Sequence, residues 1–135
     1  MSTTRQMLET YPRDYNVDTD TLVTCIEACL ACANACTQCA DACLAEEKVT
    51  ELVKCIRINN DCADVCASTG RILSRQTEYD ANVTRAALES CIAVCKACGD
   101  ECDHHAGMGM EHCRVCAEAC RRCEQACEKL LAAIS

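Results

Sequence analysis

The spacing of the cysteines constrains this chain more than any other feature, because 18 of its 135 residues are cysteine. In the stretch CIEACLACANACTQCADAC, from Cys25 to Cys43, the steps between cysteines are four, three, four, three and four residues. Such steps place side chains on one face of an α-helix, whereas a β-strand would need steps of two. The stretch therefore predicts a helix with one face lined by thiols over roughly 27 Å.

The remaining cysteines repeat this pattern in three further blocks, with steps of three, four or seven residues. The four blocks are Cys25, Cys29, Cys32, Cys36, Cys39 and Cys43; Cys55, Cys62 and Cys66; Cys91, Cys95, Cys98 and Cys102; and Cys113, Cys116, Cys120, Cys123 and Cys127. Four such helices with short connections predict an all-α protein, an antiparallel four-helix bundle whose thiol faces converge on the interior.

Capping residues and turns place the boundaries of these helices. Asp18 or Thr19 can cap the first helix, which is expected to end near the sequence AEEK. The second helix is expected over roughly Thr50–Arg75, followed by a turn at QTEYDAN. Asp80 or Asn82 can then cap the third helix.

The chain outside these three helices completes the predicted layout. The sequence HHAGMGMEH breaks the cysteine pattern before a fourth helix that is expected to end near Ile134. A short extra helix is predicted within Met1–Thr10, before Pro12. We expect residues 1–17 to form an N-terminal segment and residues 18–135 to form the Cys-lined four-helix bundle.

Ordinary apolar side chains are scarce, since the chain has no Phe and no Trp. A core of buried cysteines gains less free energy per residue than a core of leucines, so another source of stability is expected. The ordinary core residues lie mostly near the predicted helix ends, where they would plug the bundle and exclude water. They are Leu22, Ile72, Leu73, Val83, Leu88, Leu130, Leu131 and Ile134.

Charge and hydropathy exclude several classes of partner. The net charge of -8 speaks against nucleic acid or an anionic membrane surface. We expect no stretch that approaches the length of a membrane span. The first twenty residues contain no apolar run of the kind found in secretory signals, which predicts a cytoplasmic protein with reduced thiols.

Three interpretations of the cysteines do not involve metal. Cysteine could replace alanine or valine in the core, but eighteen positions in one helical phase make this a poor explanation. Disulfides are disfavoured by the reducing compartment and, within one helix, by the direction of the Cβ atoms. The CxxC sequences, such as CLAC and CRRC, lack the preceding strand and the exposed thiol of a thioredoxin-like redox site.

Metal binding explains the pattern better, because soft thiolates select Cu(I), Zn(II), Cd(II) or iron–sulfur clusters. Iron–sulfur clusters need cysteines gathered around one point by loops, and structural zinc needs separate tetrahedral sites. Cu(I) accepts two or three sulfur ligands and can bridge between them. One monovalent ion for each thiolate would leave a dry interior neutral, which predicts roughly 18 ions, or about one for each cysteine.

With these four Cys-lined helices and no signal peptide, the chain resembles the cytosolic branch of the bacterial copper storage proteins. The resemblance covers about residues 18–134. It implies a four-helix bundle that fills its core with multiple Cu(I) ions and assembles as a homotetramer. Exported relatives carry a twin-arginine signal, which this sequence does not show.

Three non-cysteine residues are further candidate ligands. Asn59 occupies a thiol-face position between Cys55 and Cys62, where its amide could bind Cu(I) or form a hydrogen bond in the core. His105 continues the third cysteine block and His104 lies beside it. The family resemblance implies an open end lined by both Cys and His, without specifying the histidine.

The loop that contains these histidines is rich in soft donors. Met108, Met110 and His112 follow His104 and His105 within HHAGMGMEH. We interpret this loop as the end of the bundle through which ions enter. A solvated turn that carries histidine and methionine by chance is the alternative.

The leading hypothesis is a non-enzymatic protein that stores or buffers Cu(I), supplied by a copper chaperone or by small thiols, and so limits copper toxicity. A Zn/Cd detoxifier of metallothionein type is one alternative, and a thiol–disulfide redox protein is another. No acid–base pair or substrate pocket in the sequence supports an enzyme.

The thiol-face interpretation predicts the effect of removing two central thiols. Substituting Cys36 and Cys120 by Ser should lower the Cu(I) capacity by about two ions, because each substitution removes one soft ligand. The helix content measured by circular dichroism should stay almost unchanged. Unfolding of the double variant would instead show that these thiols serve packing.

Overall fold

Helices form most of the computed structural model, which describes residues 2–134. Four long helices follow a short first one, and a 3₁₀ turn at Val49–Leu52 precedes the second long helix. The helices are α1 (Thr3–Glu9), α2 (Thr19–Leu44), α3 (Val53–Leu73), α4 (Ala81–Ala106) and α5 (Glu111–Ala133). Met1, where the predicted N-terminal segment begins, and Ser135, where the predicted bundle ends, lie outside the described residues.

The long helices are arranged as a square in which each packs against two neighbours. Helix α2 packs against α3 and α5, and α4 packs against the same two helices. Short connections reverse the chain direction at each step, so neighbouring helices are antiparallel. The predicted all-α, antiparallel four-helix bundle with a short extra helix is confirmed.

Two of the helix starts are capped as the sequence suggests. The Asp18 carboxylate accepts a hydrogen bond of 3.0 Å from the backbone N–H of Thr21, and Asp80 accepts one of 2.9 Å from that of Asn82. Helix α3 differs, because Val49–Leu52 is a 3₁₀ turn and Lys48 makes no side-chain capping hydrogen bond. Regular α-helix therefore begins only at Val53.

The break before the last helix is shorter than the nine-residue loop that the sequence suggested. Helix α4 continues to Ala106, which places His104 and His105 in its last turn. Helix α5 already includes His112 in its first turn. The turn itself is residues 107–110, where Gly109 adopts φ of 89°, a left-handed conformation that favours glycine.

One end of the bundle, which we call the apolar end, is closed by ordinary core residues. Most of the predicted plug is found there: Leu22, Leu73, Leu88, Leu130 and Ile134 are buried, and Ile72 and Leu131 are partly buried. The prediction for Val83 is wrong, since its side chain is 56% exposed. The buried face of α4 runs through Thr84 and Leu88, and Val83 is out of phase with it.

The N-terminal segment lies across this apolar end. Leu8 of α1 is buried against the core, and the Arg5 guanidinium donates a 2.7 Å hydrogen bond to Asp20 at the start of α2. The hydroxyl groups of Tyr11 and Thr77 form a hydrogen bond of 2.8 Å. These contacts hold the segment over the end of the bundle.

The expectation that no stretch approaches a membrane span is wrong for α2. This helix is long and apolar enough to cross a membrane by length and composition alone. Cysteine and alanine supply much of its apolar character, and one face of the helix is buried inside the bundle. The core helix of a bundle has the same length and composition, so a single helix of this kind is weak evidence for a membrane span.

The apolar end generates a stability prediction. Because Leu88 is fully buried there, Leu88→Ala should lower the free energy of unfolding of the metal-free protein by about 2–5 kcal/mol. The matched control is Val83→Ala, on the exposed face of the same helix, which should stay within about 0.5 kcal/mol of wild type. Urea unfolding under reducing conditions measures both. Equal effects would show that the apolar end does not anchor the fold.

Candidate metal centre

The cysteines line the interior of the bundle as free thiols. None of the eighteen side chains is more than 2% exposed. Sulfur atoms from different helices approach closely, as with Cys66 and Cys95 at 3.5 Å and Cys25 and Cys127 at 3.7 Å. A disulfide bond is about 2.05 Å long, so these pairs are neighbouring thiols without a bond between them.

The sulfur atoms gather into overlapping groups of four ligands. In each group the ligand atoms lie within 4.8 Å of one another. The groups include Cys29, Cys91, Cys123 and Cys127; Cys32, Cys62, Cys66 and Cys95; Cys32, Cys36, Cys62 and Cys120; Cys36, Cys98, Cys116 and Cys120; and Cys39, Cys43, His112 and Cys113. Because Cys32, Cys36, Cys62 and Cys120 each belong to two groups, the central sites form a continuous row.

Overlap of this kind suits a metal that shares ligands with its neighbours. A Cu(I) ion needs only two or three sulfurs, and one thiolate can bridge two such ions. Four-coordinate divalent ions would have to compete for the shared Cys32 and Cys36. The row therefore favours many bridged monovalent ions over separate tetrahedral sites.

Burial also controls the protonation of the thiols. The pKa of Cys43 lies above its ordinary value of 9.0, chiefly because burial disfavours the charged thiolate. Hydrogen bonds with Cys116 and Cys120, together with burial, likewise raise the pKa of Cys36. These thiols hold their protons at neutral pH, so a metal ion must displace them.

Asn59 occupies the predicted position on the inner face of α3 and is fully buried. Its amide nitrogen donates a 2.8 Å hydrogen bond to the backbone carbonyl of Cys55. Its amide oxygen accepts hydrogen bonds from the thiols of Cys116 at 3.0 Å and Cys98 at 3.3 Å. The side chain thus connects α3 with α4 and α5 and lies among the sulfur atoms. This position is compatible with either predicted role, a Cu(I) ligand or a hydrogen-bonding residue of the core.

The end opposite the apolar end carries the histidines, and we call it the histidine end. There Nδ1 of His112 lies 3.5 Å from Sγ of Cys39 and 3.6 Å from Sγ of Cys113. On the other side of the ring, Nε2 lies 3.1 Å from a carboxylate oxygen of Glu46. His112 therefore joins sulfur ligands from α2 and α5.

The two histidines of α4 differ in their surroundings. His105 is only 5% exposed, its Nε2 lies 2.9 Å from Glu101, and its buried Nδ1 has no hydrogen-bond partner among the described residues. His104 is exposed and its ring packs edge-on against that of His105. In the same turn Met108 is 58% exposed and Met110 is partly buried.

Sequence reasoning placed His112 only within a general loop and did not identify Glu46 or Glu101. Glu101 precedes His105 by four residues on one helix, so the i,i+4 spacing could have indicated that pair. Glu46 and His112 are 66 residues apart, and no local signal joins them.

Comparison with known proteins agrees with this geometry. The sequence profile of the copper storage protein family (Csp) matches residues 18–132. The copper storage protein Ccsp from Streptomyces lividans, solved with 10 copper equivalents, is 63% identical, with a TM-score of 0.94 over 96% of this chain and 98% of its own.

Two further solved structures are similar. One is a cytosolic copper storage protein from Streptomyces lividans with five coppers, 66% identical, with a TM-score of 0.82 over 84% of this chain and 93% of its own. The other is Cu(I)-bound BsCsp3 from Bacillus subtilis, 36% identical, with a TM-score of 0.69 over 78% of this chain and 92% of its own.

The profile matches most of the chain, over the same helices that carry the buried thiols, so this chain belongs to the copper storage protein family.

Proposed function

We propose that this protein stores multiple Cu(I) ions in the cytoplasm, bound by the cysteine thiolates that line the bundle. The eighteen buried, free thiols that line the bundle, with a continuous row of shared ligands at its centre, are the observation that carries this proposal. Membership of the copper storage family and likeness to a cytosolic, copper-loaded relative support both the metal and the compartment. Tight binding of Cu(I) would lower its free concentration and limit its toxicity.

Charge balance supports a capacity of about one Cu(I) ion for each cysteine. An isolated thiolate in a dry interior is very costly, so each sulfur needs either its proton or a cation. When Cu(I) replaces a proton, one positive charge replaces another and the interior stays neutral. Eighteen thiols then accept roughly 18 ions, whereas a divalent ion on four thiolates would leave excess negative charge.

The two ends of the bundle support a direction of loading. Leucine and isoleucine side chains and the N-terminal segment cover the apolar end. At the histidine end, the His112 ring is partly exposed to solvent and its Nδ1 lies beside the sulfurs of Cys39 and Cys113. Ions would therefore enter at the histidine end, with His112 as the first nitrogen ligand and His104, His105 and Asn59 as further candidates.

The proposal also includes a homotetramer, which rests on the family resemblance. It further includes supply of Cu(I) by a copper chaperone or small thiols, and the absence of catalysis, since the sequence offers no acid–base pair or substrate pocket. A shallow groove between α2 and α3 is lined by Leu30 and several alanines together with Asn34, Thr37 and Asp64, and it offers a mixed surface for a second copy. Static light scattering of the purified protein would test the tetramer.

An anaerobic titration of the reduced protein with Cu(I) tests storage. The number of ions retained against a competing chelator should rise to about 18 for each chain, since each thiol accepts one ion. The same titration on protein whose thiols have been alkylated under denaturing conditions is the control, and it should retain almost none. A plateau near four or five ions would favour zinc-type sites, and few free thiols in fresh, metal-free protein would favour the redox alternative.

The raised thiol pKa values predict a pH dependence of stability. The folded state keeps the Cys43 proton to higher pH than the unfolded state does. The contribution of this thiol to the free energy of unfolding is therefore fully present below pH 9.0 and falls as pH rises above it. In the loaded protein the sulfurs hold Cu(I) in place of protons, so this loss should be absent.

Thermal unfolding between about pH 7 and pH 10 measures this difference. The melting temperature of the reduced metal-free protein should drop above about pH 9, while that of the loaded protein should change much less. The loaded form controls for titration of lysine and tyrosine, which affects both forms. Parallel pH profiles would contradict the assignment of protonated, buried thiols.

A further inference from the structure

We infer that Glu46 and Glu101 are positioning residues of the histidine end, each of which fixes one histidine ring so that an unprotonated Nδ1 is available to Cu(I). This inference rests on the proposed function, because it assigns the groups that prepare the entrance for the metal. Among the described residues, neither carboxylate forms a hydrogen bond with a cysteine sulfur, so each acts through its histidine.

The pair of Glu46 and His112 shows the arrangement most completely. Glu46 lies just after α2 ends, and its Oε1 is 3.1 Å from Nε2 of His112 in the first turn of α5. An ionised carboxylate only accepts hydrogen bonds, so Nε2 must carry the proton. In a neutral imidazole the second nitrogen, Nδ1, then has a free lone pair, and this is the atom beside the sulfurs.

The Nδ1 lone pair lies where a Cu(I) ion bound to the neighbouring sulfurs could accept it as a ligand. Nδ1 of His112 is 3.5 Å from Sγ of Cys39 and 3.6 Å from Sγ of Cys113. With the opposite tautomer, an N–H group would point toward these sulfurs and block the ring as a ligand. Carboxylates that hold the distal N–H of a ligating histidine orient the ring in many metal sites.

Glu101 makes the equivalent contact between a carboxylate and Nε2 of a histidine on a different helix. Its Oε2 is 2.9 Å from Nε2 of His105, and its Oε1 is 3.7 Å from the ammonium group of Lys54, which helps to fix the carboxylate. Nδ1 of His105 is buried and has no hydrogen-bond partner among the described residues. A buried, unpaired ring nitrogen is costly, and a bound soft cation would satisfy it.

His104 provides an internal comparison. It is exposed and lies next to His105, yet within residues 2–134 it forms no hydrogen bond with a carboxylate. No carboxylate therefore selects one tautomer of His104, and both ring nitrogens can exchange protons with water. His105 and His112 therefore each have a ring nitrogen prepared for copper, and His104 has none.

The tautomers can be measured directly, without copper. Long-range ¹H–¹⁵N spectra of the reduced, metal-free protein, recorded at about pH 8, distinguish the two ring nitrogens of each histidine. His105 and His112 should each show a single tautomer with the proton on Nε2. A proton on Nδ1 of either histidine would overturn the inference for that pair.

Substitutions of the carboxylates separate positioning from a purely structural role. Glu46→Leu should produce an Nδ1–H signal for His112, because that proton can then be donated to the neighbouring sulfurs. Glu46→Gln should keep the wild-type tautomer, since its amide oxygen can still accept from Nε2–H. Glu101→Leu should change His105 alone. The control, Glu47→Leu at an exposed neighbouring position, should change neither histidine.

Copper uptake provides the second measurement. Transfer of the first Cu(I) ions from a chelator should be at least about tenfold slower or weaker in Glu46→Leu, and Glu46→Gln should recover most of the loss. The final capacity should not change, because no sulfur is removed. If Glu46→Leu changes neither the tautomers nor the rate of uptake, the inference is wrong but storage is unaffected. If the wild-type protein itself retains few Cu(I) ions, storage is wrong.

Discussion

Burial of sulfur is the constraint on which the rest of this structure depends. A thiol can be buried as a small apolar group, but a thiolate without a cation is very costly in the same place. The bundle places eighteen sulfurs in contact with one another and away from water, so each must hold a proton or a metal ion. A soft, monovalent ion satisfies all of them without leaving net charge inside.

The fold gives the two ends of this interior different properties. At the apolar end, leucine side chains and the N-terminal segment close the bundle and supply the ordinary hydrophobic packing that the middle lacks. At the histidine end, the His112 ring lies between the sulfurs of Cys39 and Cys113 and the carboxylate of Glu46, and the buried His105 contacts Glu101. The same chain thus has an anchor for folding at one end of the bundle and the proposed entrance for metal at the other.

Much of the fold could be predicted because a helix repeats its contacts every three or four residues. The phase of the cysteines identified four helices, and the same phase placed Asn59 inside and His105 in line with the third cysteine block, although the extension of α4 to Ala106 was not predicted. Val83 shows the limit of judging by residue type alone, since an apolar residue out of phase with the buried face is exposed. The pairing of sulfurs across helices, such as Cys36 with Cys98, depends on the axial register between helices, which no local pattern encodes. For the same reason the contact of Glu46 with His112 became visible only in three dimensions.

A crystal structure of the Cu(I)-loaded protein, with anomalous diffraction measured at the copper edge, tests the central claim most directly. The account predicts copper peaks along the axis of the bundle, bonded to cysteine sulfurs of all four long helices and continuous from the histidine end toward Cys25. Copper confined to the outer surface, or interior sulfurs joined to one another as disulfides, would contradict it.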